Sequence, residues 1–456
     1  MDRRDFIALG AAGLAGRAAL PPLLQRPGGD AVLATPIGAP SDRMHWWRDA
    51  RFGMFVHLGL YSTLGGEWKG KLVGSHEWMR NNARVPHEEY IKVADDWNPA
   101  TLDVDGIVRM AKAAGQKYIV VTTKHHEGFS LWDSKVTDYD VMATPYKRDV
   151  MRQFATACRH HDMRLGWYYS IMDWYHPDYL PRRDWEARDA SRADFARYLT
   201  FMRAQLRELL TNYGDVSVLW FDGQWESSWS HALALSTVDF CRALQPHVIV
   251  NNRVDVESPT GDARPVGYRD AGDYSTPELE VPARGIPGQD WETCMTMNDN
   301  WGYAKDDDNW KSPARLIGLL VETASKGGNL LLNIGPMGDG RVPQQSVDGL
   351  SAMGAWMRVN GEAIYGSNAT IVDTPACRTT TQGRHINCFL ERWVPGELLL
   401  PRITASPRRA WLLADRRHSL PVRRTAAGVV VELPERAPDP ICSVARIEFE
   451  GVPTVT

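Results

Sequence analysis

The sequence has almost no charge imbalance: 52 Lys and Arg against 56 Asp and Glu leave a formal charge of −4 over 456 residues. Without a long-range positive field, neither nucleic acid nor an anionic membrane surface is expected as a partner. Cysteine is sparse and scattered, at Cys158, Cys241, Cys294, Cys377, Cys388 and Cys442. None forms a CxxC pair or stands at zinc-finger spacing from histidine, so no structural metal is expected. Cys377 and Cys388 could join after export, but sequence does not fix connectivity. Internal repeats and low-complexity tracts are also missing. The acidic run Asp306 to Asp308 is long enough only for a solvated loop. No apolar run reaches the ~20 residues of a membrane-spanning helix, so no span is expected in the mature protein.

What is abundant is apolar and aromatic. With 43% hydrophobic and 24% charged residues, the chain can bury one large domain and a small one. Its 18 Trp and 15 Tyr outnumber its 11 Phe, and Trp and Tyr pair a flat apolar face with a polar handle. Such faces suit the C–H faces of sugar rings, although large barrels also use Trp in their cores. The chain begins with Arg3 and Arg4, then Phe6 and Ile7, an Ala/Leu/Gly-rich run broken by Arg17, and prolines from Pro21. This reads as an export signal of twin-arginine type with a linker, covering 1–40. A periplasmic or extracellular location follows as an expectation.

From 41 to 366 short apolar runs alternate with amphipathic stretches, the order of βα units around a parallel (β/α)8-like TIM barrel. Strand readings fall at 52–59, 117–126, 165–170, 217–223, 248–253 and 329–336. Helical faces carry Ile107, Met110, Ala111 and Ala114 in one stretch, and Phe195, Leu199, Met202, Leu206 and Leu209 in another. From 367 to 456 the pattern becomes short alternating segments punctuated by Pro and Gly, the signature of a small antiparallel β-sandwich. That sandwich either covers the barrel's flank or binds carbohydrate itself.

Five of the six barrel runs end in polar residues: His57; His125 and His126; Tyr168 to Ser170; Asp222; and Asn251 to Arg253. Active sites of such barrels are built at the C-terminal ends of the strands. Asp222 follows three large apolar residues, where a carboxylate is costly to bury unless it has a partner or a task. A strand-end Asp also serves as a helix cap or ion-pair partner. The adjacent His125 and His126 can bind vicinal hydroxyls if the strand bends there, and His57, His125, His126 and Asp222 could alternatively hold a metal. No His-x-His on the first strand supports that alternative. GPMGDG at 335–340 has no following Gly-Lys-Ser/Thr, so a phosphate cradle is not expected.

The pieces FGMFVHLGLYS, HEWMRN, KHHEGFSLWDS, GWYYS, LWFDG, NNR, WETCMTMNDNWGY and SKGGNLLLNIGPMGDG occur in this order over the barrel. In this the chain resembles glycoside hydrolase family 29, the α-L-fucosidases. The resemblance implies a retaining exo-hydrolase acting on fucosylated oligosaccharides or glycoconjugates by double displacement, without cofactor or metal. It implies Asp222 as nucleophile. The acid/base sits in a variable part of the family's chain: Glu278, in DYSTPELE, is the first choice and Glu292, in WETC, the alternative. Glu278 is expected on an exposed loop, and Glu292 could instead support the site from behind. His57, Glu77, Trp78, His125, His126, Tyr168, Trp220, Arg253 and Trp301 match sugar-binding positions. Two departures are Leu58, where many relatives have Trp, and Glu127, where Asp is frequent. A catalytically silent fucose-binding protein would retain the aromatics and lose a carboxylate; this chain has both.

Overall fold

The computed structural model describes residues 43–256 and 269–455. The expected export signal, with Arg3 and Arg4, lies outside the described residues. Seven parallel strands make the central sheet: β1 (Phe52–Val56), β4 (Tyr118–Lys124), β5 (Arg164–Ser170), β6 (Val218–Asp222), β7 (Ile249–Val250), β8 (Glu292–Thr296) and β9 (Asn329–Ile334). A short hairpin, β2 (Glu67–Trp68) and β3 (Lys71–Leu72), intervenes after β1. The order across the sheet is β7-β6-β5-β4-β1-β9-β8. All but the first residue of β5 are buried along these strands, which is why they read as unbroken apolar runs rather than alternating ones.

Helices fill the connections because their faces and caps are written locally. Ile107, Ala111 and Ala114 are buried on the helix Val104–Ala114, and Met202, Leu206 and Leu209 on Phe195–Thr211. Asp103, Asp149, Asp194, Ser230 and Ser312 each accept a first-turn backbone N–H at a helix start. Such caps satisfy donors that the helix itself cannot.

The curled sheet is not eight regular strands. Between β7 and β8 the segment 273–279 serves as an irregular closing stave. On one side Asp273 and Asn252 donate their N–H groups to Val250 and Tyr274 at 2.6 and 2.8 Å. On the other, Glu292 donates to Ser275 at 2.8 Å and Leu279 to Cys294 at 3.0 Å. Regular pairing fails here for two local reasons. Pro277 has no N–H to give, and Leu279 adopts a left-handed φ of 58°. Gly272 is required for the approach, since a Cβ there would lie 2.6 Å from the Asn251 carbonyl oxygen. Glu278 therefore belongs to the barrel wall, and its side chain is only 14% exposed, contrary to the exposed loop expected from sequence.

The C-terminal strands are β10 (Arg378–Gln382), β11 (His385–Leu390), β12 (Gly396–Pro401), β13 (Pro407–Leu412), β14 (Asp415–Leu420), β15 (Val422–Thr425), β16 (Gly428–Leu433) and β17 (Ser443–Phe449). They form two antiparallel sheets, β10-β11-β17-β13-β14 and β12-β16-β15, around Ile386, Leu398, Leu400, Val429, Val431 and Ile447. Phe389 and Val444 join the barrel's own core, and Trp356, on the helix Gln344–Asn360, donates its indole N–H to Cys442 at 2.7 Å. The sandwich is thus bonded to the barrel's flank. Cys377 and Cys388 are free thiols in hydrogen-bond contact.

Behind the C-terminal ends of β4 and β5 lies a wholly buried ion pair. Lys124 Nζ meets Asp173 at 2.8 Å with both side chains at 0% exposure. Burial alone would raise the Asp173 carboxyl, but Lys124, His176 and backbone donors outweigh it and hold it below the usual range. The pair ties the residues after β5 to the histidine turn, where Trp174 N also bonds His126 O at 2.8 Å. Lys124→Met strands that charge and is expected to cost about 3–5 kcal/mol. Urea unfolding should show it as a lower midpoint at unchanged slope. Adding Asp173→Asn should recover part of the loss; an unshifted midpoint in the single variant would show that the pair contributes nothing.

Candidate active site

The C-terminal ends of β1, β4, β5, β6 and β7, together with the closing stave and the segment after β8, supply the side chains. Strand alternation decides which reach the centre. Tyr168 turns inward and donates its hydroxyl to Asp222 Oδ2 at 3.0 Å, whereas Tyr169 turns outward to Gln205 at 2.8 Å. Tyr168 and Trp220, opposite each other in register, stack with centroids 5.7 Å apart. Phe55, His57 and Trp301 continue the aromatic wall, His57 lying 5.2 Å from Trp301.

Asp222 is 6% exposed at the end of β6. Its Oδ1 accepts from Arg253 Nη1 at 3.2 Å, and its Oδ2 lies 3.5 Å from His126 Nε2. Arg253 also meets Glu278 Oε2 through Nη2 at 2.8 Å, so one guanidinium touches both carboxyl groups. Thr276 anchors that guanidinium, accepting from Nε at 3.0 Å through its hydroxyl and from Nη2 at 3.2 Å through its carbonyl. Below, Arg253 lies over Trp220 at 4.8 Å, a cation–π contact that fixes its plane. Trp301 Nε1 donates to the second oxygen of Glu278 at 3.1 Å.

The strand-to-loop bend lets both histidines join one site. His125 stacks on Tyr168 at 5.4 Å and lies 4.2 Å from His126. Ser170 donates its only hydroxyl proton to Met172 O at 2.6 Å, so it accepts from His126 Nδ1 at 2.7 Å. That assigns the proton to Nδ1 and turns Nε2 toward Asp222. His57 is held by Asn333 at 2.7 Å. Glu77 and Trp78 come from the buried 3-10 turn His76–Trp78, with Trp78 5.0 Å from His126. The site thus gathers Asp222, Glu278, Arg253, Tyr168, Trp220, Trp301 and the three histidines, with Trp78 alongside.

Glu292 is elsewhere. It is fully buried at the start of β8, accepting from Tyr118 and from Trp220 Nε1, the latter at 3.2 Å. It supports the underside of Trp220. Leu58 is likewise buried in the core around the barrel and not in the aromatic wall. Glu127 accepts from Leu60 N at 2.8 Å and from Tyr90, bracing the turn after β1 from behind. Burial pushes the Glu127 and Glu292 carboxyls each up to about 7. Sequence reasoning placed Ser170 among the polar strand ends but missed Thr276 and Asn333, which with Ser170 hold the reactive groups in place. Asn333 left a signal, as a polar residue inside the apolar run of β9. Among the described residues, no three His, Cys, Asp or Glu side chains converge to hold a metal ion. A cleft of about 800 Å³ bounded by Trp46, Lys117, Arg164 and Tyr365 opens at the strands' N-terminal ends and holds none of the expected site residues.

Two carboxyl groups sharing a guanidinium, within aromatic faces and imidazoles at this end of a barrel, form a site of the kind found in carbohydrate-cleaving hydrolases. Comparison with known proteins narrows the class. The family model described as alpha-L-fucosidase matches residues 38–362. Plasma alpha-L-fucosidase of Homo sapiens is 30% identical over 420 residues, 86% of this chain and 85% of that protein. Tissue alpha-L-fucosidase of Bos taurus is 28% identical over 86% and 85% of the two chains. Among solved structures, alpha-L-fucosidase isoenzyme 1 from Paenibacillus thiaminolyticus has a TM-score of 0.81 at 37% identity, covering 90% of this chain and 99% of that one. A family 29 alpha-L-fucosidase from Bacteroides thetaiotaomicron, trapped as a covalent intermediate with 2-fluoro-fucosyl fluoride in a Glu-to-Gln mutant, gives 0.82 at 32% identity, covering 92% and 98%. The chain belongs to the alpha-L-fucosidase family, glycoside hydrolase family 29.

Glu292 makes stability depend on pH. Its folded value of about 7 stands above the ~4.3 of an unfolded glutamate, so between them the fold keeps a proton that the unfolded chain releases. The stabilisation is full below ~4.3 and is lost as pH rises through the folded value, by at most about 1.4 kcal/mol per pH unit. Glu292→Gln removes the titration. Wild type should therefore lose urea resistance relative to Glu292→Gln between about pH 5 and 8; parallel curves would show no such proton.

Proposed function

We propose that the protein is a retaining exo-α-L-fucosidase that removes non-reducing-end α-L-fucosyl groups from glycans, with Asp222 as nucleophile and Glu278 as acid/base. The observation that carries this reading is Arg253, which contacts both carboxyl groups. The trapped covalent intermediate of the Bacteroides thetaiotaomicron enzyme supports the same two-step chemistry here. Glu292, enclosed by Tyr118 and Trp220, has no path to a leaving group and is not given the acid/base role.

In the first step Asp222 Oδ attacks the anomeric carbon while the protonated Glu278 gives its proton to the departing glycosidic oxygen. The C–O bond to the leaving group breaks and a fucosyl ester forms on Asp222. Esterification removes the negative charge of Asp222, so the positive charge of Arg253 then acts on Glu278 alone. This favours the carboxylate form at the moment Glu278 must take a proton from water. The water attacks, the ester breaks, and configuration is restored. His57, His125 and His126, with Glu77 and Trp78, supply polar contacts for ring hydroxyls. Trp301, Phe55 and Tyr168 offer the apolar surface that the C5 methyl requires.

Hydrolysis of an aryl α-L-fucoside tests the assignment. Asp222→Ala should be nearly inactive and regain turnover with azide, releasing β-fucosyl azide. Glu278→Ala should lose about 10²–10⁴-fold on poor leaving groups and yield α-fucosyl azide, whereas Glu292→Ala should give no azide product. Full activity in Asp222→Ala would sink the mechanism.

We also propose export through the Arg3–Arg4 signal, supported by the motif and the apolar run after it. Fractionation should find wild-type activity outside the cytoplasm and the double Arg3→Lys, Arg4→Lys variant inside. Equal distribution would count against that route.

A further inference from the structure

Cys377 and Cys388 flank the first hairpin of the sandwich, one just before β10 and the other within β11. The register of that hairpin sets Thr379 opposite Cys388. Successive side chains of a strand alternate between its faces, so Cys377, two residues before Thr379, turns to the same face as Cys388. On the other side of β11, Cys388 stands opposite Ala445, whose single methyl leaves the sulfur room. Both cysteines pack in the sandwich core, Cys388 fully buried and Cys377 partly exposed at its edge. Their thiols are in hydrogen-bond contact. Cysteines whose Cβ vectors diverge cannot be bridged without moving the backbone, and these two already converge.

The remaining cysteines are placed differently. Cys158 and Cys241 lie in the barrel helices Val150–His160 and His231–Leu244, where burial pushes each thiol up to about 12. Cys294, in β8, turns its Sγ toward the Pro277 carbonyl at 3.8 Å. Among the described residues, Cys442 is the other thiol near Cys377. Its backbone is pinned at the seam with the barrel, the N–H donating to Asp439 Oδ1 at 3.0 Å and the carbonyl accepting from the Trp356 indole at 2.7 Å.

We propose that Cys377 and Cys388 form a disulfide in the exported protein. This rests on the export reading given above, which supplies an oxidising compartment. The bond forms by exchange with an oxidant that itself carries a disulfide. Cys377, the accessible thiol, loses its proton to solvent and attacks one oxidant sulfur, and the other oxidant sulfur leaves as a thiolate. Cys388 then gives up its proton and attacks the Cys377 sulfur, expelling the second oxidant sulfur. Two cysteines lose two electrons and two protons, and one oxidant disulfide becomes two thiols. The link closes directly beside Arg378, which pairs with Glu322 of the barrel helix Pro313–Ser325 at 3.5 Å. It thereby fastens to β11 the end of β10 that carries an ion pair to the barrel.

The test equilibrates purified full-length protein with a glutathione buffer rich in glutathione disulfide. Free thiols are then alkylated under denaturing conditions, and the peptides are mapped by mass spectrometry. Of the six cysteines, all but Cys377 and Cys388 should be alkylated, and those two should join one peptide pair that dithiothreitol separates. In Cys377→Ser, Cys388 should be alkylated under the same conditions. Six alkylated cysteines in wild type would overturn the proposal, as would a link from Cys377 to Cys442 or glutathione left on Cys377. Protein recovered from outside the cytoplasm should carry the link without added oxidant. A link that purified protein forms and exported protein lacks would also count against it. Because the bond is first read in purified protein, its failure is distinct from a failure of export, which fractionation detects.

Discussion

The guanidinium of Arg253 is the constraint on which the rest of the site depends. It contacts Asp222, Glu278, Thr276 and the face of Trp220 at once, so its position fixes the spacing of both carboxyl groups. A single cation between two carboxylates stabilises them where a bare pair would repel. Because its fork is planar and always charged, it can pass its influence from one carboxylate to the other without moving far. Lysine could supply the charge but not the two directed contacts.

What holds Arg253 is itself an irregularity. A regular eighth strand between β7 and β8 would alternate its side chains and bury its carbonyls in a ladder. The stave 273–279 instead frees the Thr276 carbonyl for Arg253 and carries Glu278 back beside it. Underneath, Trp220 is held by Glu292, whose burial favours the protonated state.

The sequence showed the regular parts of this structure more clearly than the irregular ones, for physical reasons. β1, β4, β5, β6, β7 and β9 are buried along their lengths, and burial on both faces leaves apolar runs that can be read directly. The inward residues at their ends, from His57 to Arg253, followed from those runs and the barrel geometry. The stave has no such run. DYSTPELE mixes Pro with polar residues, because its bonds go through an interrupted backbone and not through an apolar face, and it read as an exposed loop. β10, β14 and β15 leave a fainter sequence signal for a related reason. Segments such as DRRHSL and VRRT are charged edge strands, where exposed arginines discourage pairing with another chain and erase the alternation that marks a strand.

The same division assigns the work of the enzyme to different kinds of backbone. Asp222, the nucleophile of the proposed mechanism, and Tyr168, which donates to it, sit in the ladder of β5 and β6, where a shift of one residue would turn them to the wrong face. Glu278, the acid/base of the mechanism proposed above, sits where strand pairing is interrupted.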